Sequence, residues 1–174
     1  DDGLTVADIE TGLLWERKTN DSGLHDVDNT YSWSSSGTAF DGTATTVFLE
    51  GLNNAAFAGH ADWRLPYISE LQSITVGSGV ETSSSNVSPP DPAMGTNPTG
   101  QSTVCPSQPC IDSDFALVGG PTASSVYWSA SSGGANPARD GAWVASLSNG
   151  VVAGHNNKAR DRFVRAVRAG SCGL

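Results

Sequence analysis

Little in this chain supports long helices or membrane crossing. The 174 residues include one methionine and only 16% charged side chains, and no apolar set recurs at heptad spacing, so a coiled coil is excluded. No apolar run is long enough to span a bilayer, and the first residues show no charged-then-apolar leader. The segment is therefore expected to be soluble, as a processed secreted protein would be. Basic side chains are scarce too. Nine Lys and Arg stand against eighteen Asp and Glu, a net charge of −9, and such a body is repelled at long range by nucleic acid and by anionic membranes. Nor is a catalytic constellation legible. His25, His60 and His155 are scattered, none stands at metal-ligand spacing from a cysteine, and no serine occupies a Gly-x-Ser-x-Gly elbow. No enzymatic activity is expected.

What the chain has instead is twenty glycines and nine prolines, with many Ser and Thr, which points to a turn-rich body over a single domain, residues 1–174. The charge is unevenly spread. Residues 1–114 hold three basic and sixteen acidic side chains, a balance of −13, whereas residues 115–174 hold six basic and two acidic ones, a balance of +4. The late basic set is Arg139, Lys158, Arg160, Arg162, Arg165 and Arg168. Of three cysteines, Cys105 and Cys110 share the proline-stiffened run Cys105-Pro-Ser-Gln-Pro-Cys110, where a small disulfide ring is sterically feasible; this favours an oxidising compartment. Cys172 is then left without a partner in the chain.

Thr5-Val6 and Leu13-Leu14-Trp15 suggest an opening hairpin, with Gly12 able to supply a positive φ. Residues 19–44, rich in Asn, Asp, Ser, Gly and Thr, read as a long loop around Tyr31-Ser-Trp33. Val47, Phe48, Leu49, Leu52, Ala55 and Ala56 recur at three and four, which predicts a helix over 45–58 ended by Gly59. In Asp62-Trp63-Arg64-Leu65-Pro66, followed by Ile68, Leu71 and Ile74, a loop dives into the core and reverses into a helix near 67–75, with Trp63 and Arg64 as buried scaffold. Residues 77–113 hold hardly an aliphatic side chain and are expected to form an irregular surface insertion. Four strand-like runs follow, at 125–129, 142–147, 151–153 and 163–168, with Ser148-Asn149-Gly150 as a tight hairpin turn between the second and third.

Thr11-Gly-Leu-Leu-Trp15-Glu16, Asp62-Trp-Arg-Leu-Pro66, Tyr127-Trp-Ser129, Ala142-Trp143-Val144, Ser148-Asn-Gly150 and Phe163-Val-Arg-Ala-Val-Arg168 resemble, in order, the successive motifs of the Lcl C-terminal domain family, named after a Legionella collagen-like adhesin. The resemblance implies an α+β, C-type-lectin-like fold, with two short helices packed on an antiparallel sheet, loop-rich and carrying a long irregular insertion. It also implies a bacterial domain, secreted or displayed at the cell surface, of the kind found in adhesins that bind sulfated glycans, often as trimers. Many relatives carry a cysteine between the two arginines of the last strand; here that position is Ala166.

Two sets of side chains are candidates for binding. Asp26, Asp28 and Asn29, with Asp21 nearby, and Asp112 with Asp114, are oxygen clusters of the type calcium prefers, although the EF-hand spacing is absent and acidic loops are commonly plain solvated decoration. No other cofactor is implied. Asn136, Arg139 and Asp140, and His155, Asn156, Asn157, Lys158, Arg160 and Arg162, fall in the loops flanking the last strands. Their amides, imidazole and guanidinium groups donate in fixed directions and suit hydroxyl, carboxylate or sulfate groups. The expected function is a non-catalytic extracellular binding module for a glycan or protein ligand. The alternative is a structural subunit of a homo-oligomeric surface assembly, a trimer or a filament, built through the same face. Neither involves nucleic acid or insertion of this segment into a membrane.

Overall fold

In a computed structural model of the chain the described residues are 3–77, 79–80, 105, 107–132, 141–155 and 157–170. The opening hairpin forms as the apolar runs suggest. Strand β1, Thr5–Asp8, pairs antiparallel with β2, Leu13–Glu16. Gly12 takes φ 71° at the turn, and the Asp8 carboxylate accepts the N–H groups of Glu10 and Thr11 and the Thr11 hydroxyl.

Strand β3, Thr30–Ser32, follows. The helix predicted over 45–58 is shorter and differently wound: Ala44–Leu49 is a π-helical segment that continues into α1, Glu50–Asn54. Ala44, Phe48, Leu49 and Leu52 are buried, while Val47 is 50% exposed and Ala55 and Ala56 face solvent. The chain leaves the helix before Gly59 because Ala56 and Ala58 adopt left-handed φ values of 46° and 51°. Tertiary contacts override helix propensity here. The side chain of Asn53 clamps Trp63 at both its N–H and its carbonyl, and the Trp63 indole N–H donates to the carbonyl of Phe57 at 3.0 Å.

Trp63 is buried as expected, whereas Arg64 is only half-buried. Arg64 exchanges two backbone hydrogen bonds with Val167 and forks onto Glu70 with two bonds of 2.7 Å. Glu70 also accepts the N–H of Tyr67 at 2.7 Å, so one carboxylate both satisfies an N-terminal donor of α2, Ile68–Ser73, and fixes the guanidinium that precedes it.

The remaining elements are β4, Gly79–Val80; α3, Ser113–Val118; β5, Val126–Ser132; β6, Ala142–Ser146; β7, Val151–His155; β8, Asp161–Phe163; and β9, Val167–Ala169. They complete a three-stranded sheet in the order β1-β2-β9 and a six-stranded sheet in the order β3-β8-β5-β6-β7-β4. The fold is thus α+β, but the expectation of two helices on one antiparallel sheet is corrected. There is an additional helix, α3, capped by the Asp112 carboxylate, there are two sheets, and β4 runs parallel to β7 and β5 to β8.

Both faces of the larger sheet are covered. Tyr127, Trp143, Ala145 and Val152 pack with Trp15, Leu71 and Phe115 on one side; Trp128, Ala142, Val144 and Val164 pack with Trp33, Phe48 and Leu52 on the other. Burial on both faces explains why these strands read as nearly continuous apolar runs. The β6–β7 hairpin closes through residues 147–150, with Gly150 at φ 74° and its N–H on the carbonyl of Ser146 at 2.8 Å.

Most of the expected insertion lies outside the described residues. Where it is described it is tied to the body: Gly79 and Val80 pair with β7, and Ile111 bridges Thr75. The last expected strand, 163–168, is in fact two. β8 belongs to the six-stranded sheet and β9 to the three-stranded one, so Val164 to Ala166 carry the chain from one sheet to the other.

Candidate functional site

The loop between β7 and β8 is built around an inward lysine. Lys158 is 1% exposed; its carbonyl accepts the N–H groups of Trp33 and Ser34, and its ammonium lies 4.3 Å from the centroid of the Trp33 ring and donates to the carbonyl of Thr38 at 3.2 Å. An apolar stem and an aromatic face make such burial of a cation tolerable. Around this anchor the chain turns tightly. Asn157 accepts the N–H of Ala159 through its side chain and that of Arg160 through its carbonyl.

Asn157 and Arg160 remain exposed, and Arg162, in β8, is half-buried. Burial first, and then the nearby Arg160 guanidinium, push the Arg162 guanidinium below its ordinary pKa. Positive charge gathered in one short segment of an otherwise acidic body is where an anion is favoured. Asn157, Lys158 and Arg160 thus share one turn and Arg162 follows it in β8; Lys158 points inward, whereas Asn157 and Arg160 are exposed. Asn136, Arg139, Asp140, Asn156 and the side chain of His155 lie outside the described residues.

The oxygen-rich loop has a different organisation. Asp26 is buried, and its carboxylate accepts the N–H groups of Asp28, Ser22 and Asp21. The amides of Asp28 and Ser22 are the main reasons its carboxyl is held below the usual carboxylate range. Asn29 donates its side-chain amide to the carbonyl of Gly23 at 2.7 Å. These two candidate calcium ligands are thus engaged in shaping their own loop, Asp28 is exposed, and Asp112 caps α3. Among the described residues no group of three or more His, Cys, Asp or Glu side chains converges in a way that could hold a metal ion.

A buried ionic cluster went unnoticed in the sequence. Glu16 is fully buried and lies 3.1 Å from the ammonium of Lys18 and 2.9 Å from Nδ1 of His25. Burial works against its charge, but Lys18, His25 and the N–H of Ala166 outweigh it, so its carboxyl is held below the ordinary value. Burial pushes the Lys18 ammonium down, with Glu16 opposing. Arg165, also buried, donates to the carbonyls of Gly119, Glu16 and Pro121 and to the Thr122 hydroxyl. The available signal was a charged Glu16-Arg17-Lys18 run that begins at the last residue of β2.

Cys105 and Cys110 form the expected disulfide, with a Cα–Cα distance of 5.4 Å, consistent with an extracellular or secreted setting. In the comparison with known families, the model of the Lcl C-terminal domain matches residues 4–168. No curated protein and no solved structure matches the chain.

Proposed function

Because the chain belongs to the Lcl C-terminal domain family, we propose that it is a non-catalytic recognition module of C-type-lectin-like fold, secreted or displayed at a bacterial surface. It holds a glycan or a protein ligand by anionic groups at the β7–β8 loop. The observation that carries this reading is the exposed Arg160 at a turn that the buried Lys158 fastens to Trp33 and Thr38, with Arg162 following in β8. A rigid support lets the exposed Arg160 guanidinium donate to a carboxylate or sulfate without first ordering the loop. The acidic remainder of the body repels anions elsewhere, which confines binding to this turn.

The test is a glycan array that includes acidic and sulfated sugars, run alongside sedimentation over a concentration series. Selective capture of anionic glycans that is lost in the Arg160→Glu/Arg162→Glu variant supports the reading. A homo-oligomer that dissociates on dilution and is broken by the same double variant would favour a structural subunit instead. Unchanged behaviour of the variant in both assays would remove the β7–β8 loop from either role.

A further inference from the structure

Strand β1 is an edge of the three-stranded sheet. The N–H of Arg17 donates to the carbonyl of Leu4 at 2.9 Å. Combined with the register from Thr5↔Glu16 to Asp8↔Leu13, this directs the backbone groups of Val6 and Asp8 toward β2 and those of Thr5 and Ala7 outward. The outward N–H and C=O groups have no partner among the described residues. Edge strands are ordinarily blunted by proline, lysine or a bulge; the sequence Thr-Val-Ala-Asp of β1 has neither residue.

Beside this edge lies a groove of about 360 Å³, bounded by β1 and the turn after it, the end of α2, and α3 with its capping residue. Val6, Ile74, Phe115 and Val118 supply its apolar lining, and Asp8, Glu10, Asp112 and Asp114 its carboxylates; among the described residues no Lys or Arg lines it. Ile9 is 86% exposed and Val118 51% exposed, and neighbouring Leu117 is 83% exposed. Among the described residues the feature therefore combines an open hydrogen-bonding edge, bare apolar surface and one sign of charge.

We infer that this groove binds an extended, lysine- or arginine-rich segment of another polypeptide, added to β1 as a further strand. Main-chain bonds to Thr5 and Ala7 set the direction of the segment. Its inward side chains alternate along the groove, and long cationic ones fit both features: the aliphatic stem lies on the apolar lining while the charged head reaches the carboxylates. A second copy of the chain fits poorly, because pairing two β1 edges would bring two acidic sets together.

The probe is a labelled, capped synthetic peptide alternating Lys with Thr, followed by fluorescence anisotropy with the whole chain. Binding is expected to weaken at least about tenfold when the Lys are exchanged for Glu, and by a similar factor in the Glu10→Lys/Asp114→Lys variant. It is also expected to vanish when alternate peptide amides are N-methylated. Ala7→Pro, which removes an outward N–H while leaving the β2 pairing intact, should abolish binding without changing the melting temperature. Should that variant unfold, the N-methylated peptide decides. Failure of the basic peptide to bind, binding indifferent to N-methylation, or a β1-dependent dimer in sedimentation would each overturn the inference.

Discussion

Glu16 and Ala166 are joined twice: the Ala166 N–H donates to the Glu16 carboxylate at 2.9 Å, and the Glu16 N–H donates to the Ala166 carbonyl at 2.9 Å. The pair ties the first hairpin to the segment that crosses between the sheets. Because Lys18, His25 and Arg165 all meet at or beside Glu16, a single carboxylate organises the junction of the two layers.

Glu16→Gln should therefore destabilise the fold far more than a surface change. Removing one partner of a buried ion pair leaves Lys18 uncompensated, at a cost on the order of 3 kcal/mol. The denaturant midpoint should fall with an unchanged slope.

Acid should destabilise the protein through the same group. The folded carboxyl of Glu16 is held below its ordinary value by Lys18, His25 and the Ala166 amide, against burial, and that of Asp26 by the amides of its loop. A depressed folded pKa contributes stability that is complete above the unfolded value and is lost as pH falls through the folded one. Stability measured downward from about pH 5 should decline, and Glu16→Gln should flatten part of that slope.

Lys158 and Arg160 should behave oppositely although they are two positions apart. Lys158→Ala removes the buried contacts to Trp33 and Thr38 and should lower the melting temperature. Arg160→Glu, at an exposed position, should leave it nearly unchanged while weakening ligand capture or self-association in a salt-dependent way.

Gly150 should not tolerate a side chain. Its φ of 74° disfavours any L-residue, and an added Cβ would stand 2.3 Å from the Cα of Gly77. Gly150→Ala should cost more than the ~1 kcal/mol of left-handed backbone alone, seen as a lowered melting temperature.

Reduction of the Cys105–Cys110 ring should cost about 2 kcal/mol at most, because so short a loop removes little chain entropy. Denaturation with and without reductant measures it. A much larger loss would mean that the ring supports more than its own loop.

The sequence by itself determined the opening hairpin, the descent of Asp62 to Pro66 into α2, the late strands and the disulfide. Each is written in local terms: an apolar period, a turn glycine, a proline, or two cysteines a few residues apart. It also carried enough ordered motifs to place the chain in its family. Tertiary structure decided the rest. Phe163-Val-Arg-Ala-Val-Arg168 alternates like one strand, and only the presence of two sheets splits it at Arg165, whose guanidinium is satisfied by carbonyls distant in sequence. The helix over 45–58 ends early because Trp63 captures Asn53 and Phe57. Lys158 and Arg160 are both cations in a polar loop, alike in any local pattern; Trp33 and Thr38 draw one of them inward. Local periodicity records which residues avoid water, but not which distant group a buried charge will meet, and that meeting separates scaffold from display in this protein.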